Sequence, residues 1–89
     1  MRKKDLLIEN KLGLHARAAA QIVKSASGYH SRIILSKDGL DVDGKSIMGI
    51  MMLAAAKGST VLVHAEGDDE DQAMDGLEKL FGDKFGEKE

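Results

Sequence analysis

A chain of 89 residues, 43% hydrophobic and 31% charged, is sized for one small domain around a single modest core. It has no cysteine, which removes disulfides, thiolate metal sites and thiol nucleophiles together. A net charge of −2 and an aromatic set of only Tyr29, Phe81 and Phe85 argue against nucleic acid, which calls for a basic stripe or a base-stacking platform.

The start, Met1 to Leu7, is charged and leads into no apolar run long enough for a signal peptide or a membrane span, so the expected setting is the cytoplasm. Asp5 to Glu9 alternates, with Leu6 and Ile8 on one face, and predicts a short strand. Asn10 to Gly13 breaks it. From Ala16 onward Ala19, Ile22, Val23 and Ala26 fall at helical spacing, and Ser27-Gly28 supplies a stop. Ser31 to Ser36 is β-branched and alternating; Lys37-Asp38-Gly39 then turns the chain into a partner strand, Leu40 to Asp43.

Ser46 stands at the N-cap position of a second helical segment, in which Ile47, Ile50, Met51 and Ala54 repeat and which Gly58 ends. Val61, Val63 and Ala65 mark a fourth strand. Acids then open a last helix carrying Ala73, Leu77, Leu80 and Phe81, and the tail 86–89 is expected to fray. The order is βαββαβα in one domain, 1–89. Packing three helices on one face of a single sheet buries every apolar stripe. The other face stays wet, with Arg32 and His64 out of phase with the apolar positions.

His15 directly precedes the first helical stretch, where unpaired N–H groups and a partial positive charge make an anion site. Arg17 adds a charge that persists near neutral pH. An imidazole there is disfavoured as a cation, leaving a neutral nitrogen free to attack phosphorus and a positive setting for the dianion that arrives. Taken alone, the same residues also fit a loop histidine beside a surface arginine.

The segments GLHARAAA and VDGKSIMGIMMLAAAKGS, set in the βαββαβα order, resemble the histidine-containing phosphocarrier (HPr) family of the bacterial phosphoenolpyruvate:sugar phosphotransferase system. The resemblance runs from about Leu6 to Phe81. It implies an α+β, open-faced two-layer sandwich whose four-stranded antiparallel sheet has the order 1-4-2-3. It also implies that His15 accepts a phosphoryl group at Nδ1, that Arg17 supports the group, and that Ser46 is a regulatory phosphorylation site. Ile47 and Met48 match a docking face, where an exposed flexible thioether suits several partners. Met51, in helical phase with Ile47 and Ile50, is expected in the core.

The implied partners are enzyme I, enzyme IIA-type acceptors and a Ser46 kinase/phosphorylase. No cofactor, metal, nucleic acid or membrane insertion is expected, and the chain is expected to be a monomer: a carrier rather than a turnover enzyme. Ala18 departs from the proline that the family commonly has after its His-Ala-Arg, which predicts a looser loop and slower transfer. His30 and His64 match no functional position and are expected at the surface. Two other readings are a nitrogen-related regulatory relative and a generic α/β module binding a metal or RNA; the missing cysteines and acidic balance count against the latter.

Overall fold

Alternation along the strands leaves one apolar sheet face, and the helices close over it. The computed structural model describes residues 1–89. Its elements are β1 (Arg2–Leu7), α1 (Ala16–Ala26), β2 (Arg32–Lys37), β3 (Leu40–Asp43), α2 (Ile47–Met52), β4 (Thr60–Glu66) and α3 (Glu70–Gly82), then a 3-10 turn at Lys84–Gly86. The strands form one antiparallel sheet in the order β1-β4-β2-β3, the implied order.

Register puts Leu6 opposite Val61, Ile33 opposite Ala65, and Leu35 between Val63 and Val42. All are buried, and Ala19, Ile22, Ala26, Ile50, Leu53, Ala73, Met74, Leu77 and Phe81 from the helices join them in one core. Arg2 and Lys4, in phase with Leu6, reach Asp71 and Glu78 of α3 at 2.6 Å each. These exposed pairs register α3 on β1 and add little stability. On the open face Arg32 is exposed, while His64 is half-buried with its Nε2 covered and unpartnered. His30 is exposed.

Four expectations are corrected. β1 runs Arg2–Leu7 rather than Asp5 to Glu9. It begins early because Lys3 and Lys4 pair with His64 and Val63 despite their charge, and beyond Leu7 the backbone of Ile8 bonds to the Gly58-Ser59 turn instead. α2 ends at Met52, six residues short of Gly58, with Ala54 in the left-handed region at φ 50°. There the backbone turns away to serve the β1–α1 connection: the Ala55 carbonyl accepts from Leu14 N–H at 2.9 Å, and Gly58 N–H donates to Ile8 at 2.9 Å. In so short a helix only Ile50 is buried, Leu53 being buried just past its end, and Met51 is 43% exposed rather than buried.

The tail is the fourth correction, since residues 86–89 fold back instead of fraying. Lys84 and Phe85, at φ 56° and 57°, reverse the chain. Phe85 is buried edge-on against Phe81, with ring centroids 4.9 Å apart, and anchors the reversal. Beyond it the Glu89 carbonyl accepts from Lys11 N–H.

Candidate phosphoryl-acceptor site

His15 is the N-cap of α1, with extended backbone (φ −77°, ψ −179°). Two anchors hold it. Behind it, the buried Leu14 is fastened to Ala55, and buried Asn10 donates from Nδ2 to the Gly13 carbonyl at 2.8 Å. Ahead of it, Ala19 N–H donates to the His15 carbonyl at 2.9 Å. Gly13 is required between them. Its φ is +66°, and a Cβ there would fall inside contact distance of the Ala55 carbonyl oxygen, with Ala56 Cα at 3.1 Å.

Both ring nitrogens have partners. Nδ1 accepts from the Arg17 backbone N–H at 3.3 Å, and Nε2 lies 2.7 Å from Oε2 of Glu87. A carboxylate only accepts, so Nε2 carries a proton, and Nδ1, facing a donor, carries a lone pair. The neutral Nε2–H tautomer satisfies both contacts together. The His15 side chain is 28% exposed.

Glu87 itself is 13% exposed and accepts at Oε1 from Asn10 Nδ2 at 3.1 Å. Desolvation pulls its carboxyl upward. The hydrogen bonds from Asn10 and His15, with the charge of Arg17, outweigh that pull and leave its pKa below the usual carboxylate value. The Arg17 side chain is exposed, on the first turn of α1 beside this pair. A neutral nucleophilic nitrogen, unpaired helix N–H groups and a nearby guanidinium suit a tetrahedral phosphoryl dianion.

Ser46 directly precedes α2, which packs against α1. It is the N-cap the sequence suggests: its Oγ accepts from Gly49 N–H at 3.1 Å. Ile47 and Met48 are 41% and 76% exposed, and Met52 at 65% joins them and Met51 in an apolar patch on the outer side of α2. The acidic run before α3 serves the fold: Asp69 accepts from the backbone N–H groups of His30 and Ser31 and from the Ser31 hydroxyl. The Ser31 hydroxyl, then its other donors, hold the Asp69 carboxyl below its ordinary pKa.

Asn10, Gly13 and Glu87 are absent from the sequence-derived site. Asn10 and Gly13 read as a strand break. Glu87, 72 positions from His15, carries no local signal; only Phe85, an apolar residue in a charged tail, hints that the end is anchored.

Residues 2–83 match the family described as the PTS HPr component phosphorylation site. The phosphocarrier protein HPr of Cupriavidus necator is 51% identical over 89 residues, all of both chains. A crystal structure of HPr from Thermoanaerobacter tengcongensis superposes with a TM-score of 0.95 at 47% identity, covering 100% of each chain. A structure of an HPr dimer from the same organism gives 0.78 at 48% identity, covering 98% of this chain and 100% of that one. With the fold, the family match and full-length identity in agreement, this chain belongs to the HPr family of phosphotransferase-system phosphocarriers.

Proposed function

We propose that the chain carries a phosphoryl group on Nδ1 of His15, taking it from phosphoenolpyruvate-charged enzyme I and passing it to enzyme IIA-type acceptors. The observation that carries this reading is the Nδ1 lone pair at the N-terminus of α1, held there while Nε2 is occupied by Glu87. Arg17 stabilises the transferred group. Ile47 and Met48 dock the partners, and a kinase/phosphorylase acting on Ser46 governs that docking. The work takes place in the cytoplasm without a cofactor. The carrier acts as a monomer in this reading. The phosphocarrier name borne by relatives supports the carrier reading, which we take to serve sugar uptake rather than nitrogen-related signalling.

Incubation with enzyme I and phosphoenolpyruvate, read by mass spectrometry, tests the reading. One phosphoryl group should appear, labile in mild acid and stable in base. His15→Ala should abolish it, and undiminished labelling of that variant would remove His15 from the mechanism.

A further inference from the structure

We propose that Glu87 is a positioning residue that assigns the ring proton of His15. The inference deepens the reading above and rests on it for its catalytic meaning. Either nitrogen of a neutral imidazole can hold the proton, and only the other can attack phosphorus. The chain settles the choice from two sides, with a carboxylate 2.7 Å from Nε2 and a backbone N–H 3.3 Å from Nδ1. The N–H contact is long and weak. The short, charge-assisted contact to Glu87 governs.

Asn10 makes the arrangement directional. Its buried amide nitrogen faces two acceptors, the Gly13 carbonyl and Oε1 of Glu87, so no rotation of that amide is tolerated. One oxygen of Glu87 is therefore committed to Asn10 and the other to His15. Around them Lys11, Arg17, Lys88 and Glu89 line the same hollow, with Lys11 paired to Glu89 at 3.4 Å. Glu87 is the charged group in contact with the imidazole.

The transfer step then needs no proton movement at His15. The Nδ1 lone pair forms the N–P bond as the bond between phosphorus and the donor's leaving atom breaks, and that atom keeps the electron pair. The ring, neutral before, is cationic after, with its Nε2–H still on the Glu87 carboxylate.

An ordering of variants follows that a purely structural role does not share. In Glu87→Gln the single amide oxygen goes to Asn10, which offers only N–H there. The new NH2 group then faces Nε2 and favours the proton on Nδ1, where it blocks attack. Glu87→Ala merely releases the ring. The isostere is thus the more damaging change.

The test is 15N NMR of the ring in the full-length unphosphorylated protein at about pH 8.5, where an imidazole is neutral. Initial rates of phosphorylation by enzyme I and phosphoenolpyruvate, and melting curves, accompany it. The ratio of Nε2–H to Nδ1–H tautomers should fall about tenfold in Glu87→Ala, the equivalent of one charge-assisted hydrogen bond, and further in Glu87→Gln. Transfer should slow in the same order, although Gln melts no lower than Ala. Tautomer ratios at the wild-type value in both variants, or a Gln ratio at or above that of Ala, would overturn the assignment. The tautomer reading needs no donor, so failure of wild type to accept phosphate refutes the carrier function and leaves this ordering to be judged on its own.

Discussion

Substituting Gly13 by alanine probes how the fold presents the histidine. The left-handed backbone at φ +66° costs a side-chain-bearing residue about 1–2 kcal/mol. The new Cβ also presses on the Ala55 carbonyl oxygen and on Ala56 Cα, and backbone cannot rotate aside as a side-chain tip can. Relief means displacing the carbonyl that accepts from Leu14 N–H, forfeiting a hydrogen bond of about 1 kcal/mol. The total is roughly 2–4 kcal/mol, which in a domain of this size lowers Tm by roughly 10–25 °C. Gly39→Ala is the control, since φ is +84° there and a Cβ meets nothing within 4 Å. It carries the conformational cost alone, about 1–2 kcal/mol. Thermal melts followed by circular dichroism measure both. If Gly13→Ala melts no lower than Gly39→Ala, the close approach of residues 13 and 55 is not what holds the loop.

Arg17→Ala should keep its Tm, because the guanidinium is exposed, yet slow phosphorylation at His15 by about 30- to 1,000-fold, the range for one preorganised electrostatic group; wild-type rates would make it a bystander. Ser46→Asp should retain a capping oxygen and melt within a few degrees of wild type, while initial rates against protein concentration show weaker binding to enzyme I, an added charge beside the patch of Ile47 and Met48 being costly to desolvate. Binding as tight as wild type would leave Ser46 only its cap. Ser31→Ala should destabilise at pH 7 and much less at about pH 2. The depressed Asp69 pKa means that its ionised form is stabilised by folding, a contribution present above the ordinary carboxylate pKa and lost as pH falls through the folded one. A destabilisation equal at both pH values, read from paired melts, would contradict that linkage.

Local periodicity made the strands legible. Leu6, Ile8, Val61, Val63 and Ala65 are buried where alternation put them, and α1 has the extent its stop signal marks. Ser46 shows its cap, because capping is decided within four residues. α2 misled, since Ile47, Ile50, Met51 and Ala54 share a helical period only while the helix lasts, and it is ended by hydrogen bonds to a loop some forty residues earlier. His15 and Arg17 were visible as a motif; the half of the site formed by Asn10 and Glu87 was not. Its partners meet only through the tertiary fold, and a charged tail has the composition of a solvated one until Phe85 is seen to be buried.

The folded-back tail bears on how any preparation of this protein is judged. Exopeptidase trimming that removes residues 87–89 takes away the group on Nε2 yet spares Phe85 and everything before it. Spectra dominated by the sheet and helices will barely register the loss, and a gel will not resolve it. Two batches of equal apparent purity can therefore hold chemically different histidines, and intact mass is the assay that distinguishes them before any rate is compared.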